Sequence, residues 1–435
     1  MKWFIGILLL LLAALILESG LLAYAMYVLL ALLVVSRFLA RSWIGNLTAQ
    51  RHCKQETAEV GESIAVEIKV ANTGALPVSW VLLEDVLPAK ALVENRNRLR
   101  VKKRRFKIAM VRPHGEINLN YEIEFLMRGY YQVGPLVLET GDLFGLHRRY
   151  RVGSVPNFVL VYPRVVPLEG FDLASRRPLG EVLLTHRLFE DPTRIAGVRN
   201  YEAGDPLNRV HWRASARTGQ LHSKIYEPST IAGATLVLDF HEAGYDDKRE
   251  PQRSELAVTA TVSLAHALYQ LGQQVGLVTN GRDAADRIRL EGWTSDFRTR
   301  KEAQQSVAMR EHSERLQPIV VETRRGIEQF QRIRETLARV ELTDGLTVSQ
   351  LLEETSSRLP RDATVVAVLG SVSPETALAL GSLRRRGFAV TAILVVFEGE
   401  ALDHALIRLL TEGIEVRQLR NEAELPGLCQ RQLLR

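Results

Sequence analysis

Cysteine is scarce in this chain of 435 residues, which contains only Cys53 and Cys429. The two lie far apart and show none of the short spacings that bind zinc, and two cysteines do not make the disulfide framework of a small secreted domain. So low a count is typical of a protein in a reducing compartment.

Catalytic sequence motifs are also missing. The chain has no Walker-type phosphate loop, no Gly-x-Ser-x-Gly turn, no His-Glu-x-x-His motif and no dinucleotide-binding glycine pattern. Several large enzyme classes are therefore disfavoured. The sequence also shows neither paired carboxylates nor a nucleophile–base pair that would indicate another kind of catalytic site.

Extreme charge is absent as well. The formal net charge is +6, with 24% charged and 46% hydrophobic residues, as in a folded protein of a few domains. This mild positive excess suits the anionic face of a membrane. Nucleic acid is not expected as a partner, because Phe106 alone supplies a stacking aromatic within the basic run at residues 96–107.

Long apolar runs are present at the N-terminus, at residues 3–17 and 21–35, separated by Glu18-Ser19-Gly20. As one helix they would be about 50 Å long, against a hydrocarbon core of about 30 Å, with Glu18 near the bilayer centre. A hairpin of two short transmembrane helices within residues 1–40 avoids both problems. The alternative is a signal peptide, but no small-residue cleavage site follows the first run.

Basic residues flank this predicted hairpin, with Lys2 before it and Arg37, Arg41 and Arg51 after it. By the positive-inside rule we expect both termini, and the rest of the chain, in the cytoplasm. The lipid bilayer is thus the first partner that the sequence predicts.

Residues 55–165 contain runs that alternate apolar and polar side chains, such as Ser63–Val70 and Glu116–Phe125, separated by turn residues. This pattern predicts an antiparallel β-sandwich, and its strand and turn residues resemble immunoglobulin-like domains.

A basic run inside this region includes Lys102, Lys103, Arg104 and Arg105. One interpretation is a solvated edge strand that its charge protects from aggregation. Another is contact with anionic lipid headgroups, because the anchor would hold this domain near the membrane.

Residues 231–435 alternate short buried strands with amphipathic helices, beginning with the strand Thr235–Leu238 and the helix Ser254–Leu271. The alternation predicts a doubly wound α/β domain. Residues 166–230 connect it to the predicted sandwich.

This connector holds a dense cluster of unusual residues from Arg199 to Gly219. Asp205 followed by Pro206 predicts the start of a helix, and Gly219 predicts its end. His211 and Ser215 are spaced for a hydroxyl–imidazole contact on that helix. A capped, basic structural helix explains both residues without catalysis.

The stretch resembles the signature of the bacterial family called domain of unknown function 58. The matching positions are Arg199, Tyr201, Gly204, Asp205, Pro206, Arg209, Trp212, Ser215 and Arg217. In one interpretation Tyr201 and Trp212 pack a junction between domains while the arginines pair with nearby carboxylates. In a second, compatible one the arginines bind the carboxylates of a partner protein.

The family resemblance also implies that the α/β domain is von Willebrand factor A-like. Such domains often bind Mg²⁺ through Asp-x-Ser-x-Ser after the first strand; this chain has Asp239-Phe240-His241-Glu242-Ala243 there. Only Asp239 is retained, which favours a degenerate site, with Glu242, Asp246 and Asp247 as candidate substitute ligands. No catalytic residue and no cofactor are predicted; Mg²⁺ at Asp239 is the alternative.

The expected architecture is a transmembrane helical hairpin, an antiparallel β-sandwich and a doubly wound α/β domain. The resemblance implies a scaffold or adaptor in the bacterial inner membrane that works with a MoxR-type AAA+ ATPase in assembly or maturation of other proteins. Two alternatives belong to other classes. One is a Mg²⁺-dependent enzyme or adhesion-type metal-binding domain, and the other is a cell-envelope structural protein with a periplasmic sandwich.

Overall fold

A computed structural model describes most of the chain in eleven segments. They are residues 2–16, 19–88, 98–142, 147–169, 190–201, 210–228, 233–245, 250–291, 317–360, 363–396 and 399–429, with the single positions 92, 145 and 302. Two domains account for most of these residues. We call Leu47–Tyr162 the β domain and Gly233–Cys429 the α/β domain.

Two helices precede the β domain, α1 (Lys2–Ile16) and α2 (Gly20–Asn46), and they contact each other. Within the described residues, α2 is the helix that is long and apolar enough to cross a membrane. Helix α1 has 15 residues, whereas a spanning helix usually needs about 20. The structure therefore supports one membrane-spanning helix and leaves the spanning hairpin as a prediction.

Helix α2 does not end near residue 40 as the sequence suggested. It continues to Asn46 and leads directly into β1 (Leu47–Cys53), where a linker had been expected. Its buried positions, Leu33, Ser36, Ala40, Trp43 and Ile44, recur every three or four residues and form one face. Since Trp43 and Ile44 belong to the hydrophobic core of the β domain, the end of α2 is part of that domain.

The β domain consists of short strands arranged in three sheets. After β1 they are β2 (Thr57–Glu59), β3 (Ser63–Asn72), β4 (Val78–Asp85), β5 (Leu99–Lys102), β6 (Phe106–Val111), β7 (Glu116–Phe125), β8 (Gly129–Val133), β9 (Leu136–Gly141), β10 (Arg148–Ser154) and β11 (Asn157–Tyr162). Two four-stranded antiparallel sheets, ordered β1-β3-β7-β5 and β10-β9-β4-β6, share one hydrophobic core. A third sheet, β2-β11-β8, completes the domain. The predicted antiparallel β region is confirmed.

The buried side chain of Arg51, which belongs to β1, contacts groups of the other two sheets and so links all three. Its buried guanidinium lies 3.1 Å from the carboxylate of Asp85 and donates to the carbonyl groups of Val133 and Val155. The Tyr121 hydroxyl donates to the same carboxylate at 2.5 Å. Burial raises the pKa of Asp85, while the charge of Arg51 acts in the opposite direction. Arg51 is therefore a core residue, although the sequence suggested a charge beside the membrane.

In the chain, the segment between the two domains contains a small antiparallel sheet of β12 (Glu190–Asn200) and β13 (His222–Pro228), with the helix α3 (Trp212–Thr218) between its strands. The sequence did not predict β12, because residues 190–200 show no apolar alternation. Two register irregularities interrupt the pairing of β12 with β13.

The α/β domain follows the alternation that the sequence predicted. Its strands are β14 (Gly233–Leu238), β15 (Gln274–Thr279), β16 (Arg282–Asp283), β17 (Ile319–Arg324), β18 (Val340–Glu341), β19 (Ala363–Leu369), β20 (Val390–Val395) and β21 (Glu415–Leu419). Its helices are α4 (Gln252–Gln270), α5 (Ala284–Glu291), α6 (Ile327–Arg339), α7 (Val348–Thr355), α8 (Pro374–Arg385) and α9 (Gly399–Thr411).

Six of these strands form one sheet in the order β17-β15-β14-β19-β20-β21. Neighbouring strands are parallel, except that the edge strand β17 runs antiparallel to β15. Helices α4 and α6 pack on one face and α7, α8 and α9 on the other, each with its own apolar core. The α/β prediction for this region is confirmed.

Arg128, just before β8, fastens the β domain to the α/β domain. Its side chain is 4% exposed, and one terminal nitrogen donates to the carbonyl groups of Leu337 and Val340, both at 2.7 Å. Its Nε lies 3.3 Å from the carboxylate of Glu255, and the guanidinium sits 5.3 Å from the ring centre of Phe240. A buried cation with this many partners fixes the relative position of the two domains.

Weaker contacts surround Arg128. Arg334 of α6 bonds to Glu59 at 2.6 Å and lies over the ring of Tyr162. Farther along the chain, the Val166 amide donates to the Ser263 hydroxyl at 2.9 Å. The chain therefore continues along the α/β domain directly after leaving the β domain.

We expect Arg128→Met to lower the free energy of unfolding by about 3–5 kcal/mol, because it leaves Glu255 and two buried carbonyl groups without their cation. Amide exchange near Leu337 and Val340 should become faster. Denaturant unfolding and native-state hydrogen exchange of the detergent-solubilised full chain measure the two effects.

Arg334→Met is the matched control at the same interface. Its partner Glu59 is largely exposed, so we expect a change of about 1 kcal/mol or less. Equal effects of the two variants would contradict the role given to Arg128.

Candidate functional site

The α/β sheet changes winding direction between β14 and β19. From β14 the chain passes to β15 on one side, and β19, β20 and β21 continue on the other. In open α/β sheets, ligands bind at the carboxyl ends of the strands beside such a point. Asp239, Asn280 and Gly370 directly follow β14, β15 and β19, so they define the candidate site.

Asp239 is the central group, and its side chain is 1% exposed. Its Oδ1 accepts hydrogen bonds from the His241 amide and the Asn280 side-chain amide, each at 3.2 Å. The Gly370 amide also donates to this carboxyl group. Burial raises the pKa of Asp239, and these donors oppose the increase.

Asn280 and Gly244 shape the surroundings of this carboxyl group. The Asn280 side chain accepts from the Phe240 amide at 2.6 Å and donates to the Leu346 carbonyl at 2.8 Å. A Cβ atom on Gly244 would lie 3.2 Å from Oδ2 of Asp239 and 3.3 Å from Oγ of Ser371. Since such contacts are tight, glycine lets this backbone approach both oxygens.

Tyr245 and Arg253 occupy the space beside the site. The Tyr245 hydroxyl donates to the backbone carbonyl of Asp239 at 2.6 Å, and the Tyr245 ring packs against Gly370. Arg253 donates to the carbonyl groups of Gly370 and Val395 and lies over the Tyr245 ring. The chain therefore fills with its own side chains much of the crevice where related folds bind ligands.

The predicted metal ligands do not assemble around Asp239 in the part of the chain that the structure describes. No group of three His, Cys, Asp or Glu side chains suited to a metal is found there. Glu242 lies in a short 3₁₀ helix and is exposed. Asp246 and Asp247 lie outside the described residues. The described donor set thus holds one carboxylate, fewer than the several oxygen ligands that protein sites give Mg²⁺.

The signature stretch is described only in part, since Gly204, Asp205, Pro206 and Arg209 lie outside the described residues. The prediction of one helix from Pro206 to Gly219 is wrong at its start. Val210 bridges to Ser223, and His211 is the N-cap of α3. The predicted stop is confirmed, because Gly219 is left-handed at φ 73°.

Ser215 and His211 make structural contacts rather than a nucleophile–base pair. The Ser215 hydroxyl donates to the backbone carbonyl of His211 at 3.1 Å and accepts from the His222 amide at 2.9 Å. The His211 ring accepts from the Ala214 amide at 3.0 Å and caps the helix. The Ser215 side chain thus joins α3 to β13, whereas the His211 ring bonds only within α3, and the hydroxyl–imidazole contact is not formed.

The outward face of α3 is aromatic and basic. Trp212 is 66% exposed, so the interpretation that it packs inside a domain junction is wrong. Arg213 and Arg217 are exposed on the same helix, and Arg199 is half-buried at the end of β12. The Tyr201 amide donates to the Leu221 carbonyl at 2.9 Å, which holds the ends of β12 and β13 together. This face is suited to contact another protein.

The basic run lies at the end of β5 and in the turn that leads to β6, at the end of the β domain away from α2. The carbonyl of Asn46 accepts from the Thr73 amide, and the Asn72 side chain reaches Arg112, directly after β6. Lys102, Lys103, Arg104 and Arg105 lie at the other end of that strand, about 17 Å away. Lipid contact by this run remains a prediction.

Sequence reasoning missed Arg128, Asn280, Tyr245 and Arg253. A polar residue directly after a buried strand was a usable signal for Asn280. The chain has 56 lysine and arginine residues, and no local feature singles out the two arginines.

Comparison with known proteins agrees with the resemblance in part of the chain. A family model described as "Protein of unknown function DUF58" matches residues 197–294, which include the whole signature stretch, β14 and Asp239. The curated "Uncharacterized protein YeaD" of Bacillus subtilis (strain 168) is 23% identical over 262 residues, or 60% of this chain. The alignment spans 62% of the length of that relative.

Likeness to solved structures is low. The CARDB domain of a Pyrococcus furiosus protein is 13% identical over 26% of this chain and 86% of that chain, with a TM-score of 0.18. Proximal thread matrix protein 1 from the mussel byssus is 11% identical over 46% of each chain, with a TM-score of 0.29. TM-scores this low support no argument about fold or function.

The raised pKa of Asp239 yields a pH-dependent prediction. A group whose folded pKa is raised contributes most stability below its unfolded pKa, and that contribution is lost as pH rises through the folded pKa. Asp239→Asn keeps the acceptor and removes the titration. We therefore expect its stability, relative to the unsubstituted protein, to increase from about pH 4 to about pH 7 in denaturant unfolding.

Asp239→Ala is the control, because it removes the acceptor for His241 and Asn280 and should be about 1–3 kcal/mol less stable than Asp239→Asn. A stability difference that does not change with pH would contradict the prediction. Calorimetry with Mg²⁺ on the same proteins tests the metal alternative, which requires heat that both substitutions abolish.

Proposed function

We propose that this protein is a membrane-anchored scaffold or adaptor that holds its α/β domain at a fixed position near the cytoplasmic face of the bacterial inner membrane. The observation that carries the proposal is an uninterrupted structural connection from the apolar helix through the β domain to the α/β domain. Helix α2 runs without a break from an apolar span into the core of the β domain, and Arg128 fastens that domain to the α/β domain. Such a connection suits a protein that positions a binding surface.

The proposed membrane segment is Gly20–Ser36 of α2, which contains no charged residue and is about 25 Å long. Tyr24 and Tyr27 lie near its start, and Arg37 and Arg41 follow it, exposed. Because Arg51 is buried in the β domain, the proposed cytoplasmic orientation rests on Arg37, Arg41 and Lys2. Helix α1 would form the second leg of a hairpin and place both termini in the cytoplasm.

We interpret the α/β domain as von Willebrand factor A-like with a degenerate metal site. The parallel sheet with one antiparallel edge strand supports this interpretation. Asp239 lies after the first strand of that sheet, and Tyr245 and Arg253 take up the adjacent space. The binding surface is then the outside of the domain and the α3 face, rather than an interior pocket.

The proposed partner is a MoxR-type AAA+ ATPase acting in the assembly or maturation of other proteins. Family resemblance in the signature stretch supports this partner class. The exposed Trp212 and the arginines beside it supply an aromatic and bidentate surface of the kind found at interaction hot spots.

The proposed topology predicts which positions a membrane-impermeant maleimide reaches in intact spheroplasts. With Cys53 and Cys429 replaced by serine, we expect Ser19→Cys to be labelled from outside. Lys54→Cys and Leu378→Cys should be labelled only after permeabilisation, because both positions are exposed in the proposed cytoplasmic domains. External labelling at Lys54 or Leu378 would overturn the orientation and favour the cell-envelope alternative.

The proposed partnership predicts that an AAA+ ATPase co-purifies with the full chain from detergent extracts of its own bacterium. Trp212→Ala should reduce recovery at least about tenfold, because exposed tryptophans often dominate an interface. Leu378→Ala, which truncates an exposed apolar residue on α8, is the matched control and should leave recovery unchanged. Failure to recover any ATPase with the unsubstituted protein would refute this partner.

A further inference from the structure

Strand β6 is an open edge of the β domain. Among the strands that the structure describes it pairs only with β4, and its other edge faces β7 without a ladder. Phe106, Ile108 and Met110 alternate along it and are 46%, 67% and 60% exposed. An edge strand with an exposed apolar row is a template for another strand unless something protects or occupies it.

A groove of about 600 Å³ runs between β6 and β7. Phe106 and Ile108 line one side, Asn118 and Asn120 the other, and the buried Leu119 lies between them. Strand β5 pairs with β7 only from residue 122 to residue 125. The earlier half of β7 is therefore open on the side that faces β6.

The cations that line this groove differ from the cations beside it, which are paired with carboxylates. The neighbouring cations Arg100, Lys102, Lys103 and Arg105 each lie within ion-pair distance of Glu124, Glu122 or Glu84. Lys107 donates instead to the Asn118 carbonyl at 2.9 Å. Arg104 and Lys107 both line the groove, and neither has a carboxylate partner within the described part of the chain.

We propose that this groove binds an extended acidic segment of another protein, which adds to β6 as a further strand. Its backbone would use the free edge of β6. Its apolar side chains would cover Phe106 and Ile108, and the alternate, acidic side chains would pair with Lys107. An acidic residue beyond the end of β6 would pair with Arg104, which lies just before that strand.

Charge and position favour an acidic segment over two other occupants of the groove, a second copy of this chain and the membrane surface. Pairing of β6 with a second copy would bring the Arg104 and Lys107 clusters of both copies together, and like charges across an interface are unfavourable. The Arg104 end of β6 is also the end away from α2, which places it away from the proposed membrane surface. The inference rests on the proposed scaffold role, to which it adds a second docking surface and the chemistry of its partner.

The test uses the full chain in zwitterionic lipid nanodiscs and a fluorescein-labelled peptide of about eight alternating valine and glutamate residues, close to the length of a strand. We expect saturable binding by fluorescence anisotropy that weakens as salt increases. The same peptide with lysine in place of glutamate should bind at least about tenfold more weakly.

Two variants locate the binding. The double variant Arg104→Glu, Lys107→Glu and the single variant Ile108→Ser should each weaken binding at least about tenfold. Lys54→Glu, an exposed charge reversal elsewhere in the β domain, should change binding little. Unchanged thermal unfolding of each variant shows that the fold is intact, because all of these side chains are exposed.

Several outcomes would overturn the proposal. They are absence of binding by the unsubstituted protein, equal affinity for the lysine peptide, or equal loss with Lys54→Glu. Displacement of the peptide by short-chain phosphatidylserine would show a lipid site, and dimerisation that Ile108→Ser abolishes would show self-pairing. Peptide binding without a co-purifying ATPase would refute only the proposed ATPase partner.

Discussion

A guanidinium group removed from water needs partners on every side, and Arg128 finds them only where the two domains meet. Two carbonyl groups at the end of α6 and the start of β18, a carboxylate of α4 and the ring of Phe240 surround it. These partners come from distant parts of the chain, so they converge only when the β domain is seated correctly. The interaction therefore selects one relative position of the domains, and nearby ion pairs such as Arg334–Glu59 add little because they are solvated.

The same principle operates within the β domain, where Arg51 and Asp85 link three sheets beneath the end of α2. Trp43 and Ile44 carry the helix into that core. The connection from the apolar part of α2 to the α/β sheet thus contains two buried arginines and a continuous helix. A chain built in this way holds its distal domain in a defined position, which agrees with a positioning role better than with a flexible tether.

At the candidate site, the protein's own side chains occupy the place where α/β sheets bind ligands. Asp239, Asn280 and Gly370 converge at the point where α/β sheets bind ligands. Tyr245 and Arg253 then satisfy backbone groups in that crevice. Surfaces outside the crevice remain available, namely the aromatic and basic face of α3 and the open edge of β6.

Local pattern in the sequence was sufficient for many of the elements. Alternation placed β3 and β7, a buried run placed β14, amphipathic spacing placed α4, and Gly219 ended α3, because each depends on residues a few positions apart. The sequence also indicated the apolar N-terminal segment and the resemblance in the signature stretch. Tertiary structure decided that α2 enters the β domain, that Trp212 is exposed, and that Arg51 and Arg128 are buried among 56 lysine and arginine residues. The physical reason is that burial and pairing of a charge depend on groups brought together by long-range packing, which the local sequence around that charge does not contain.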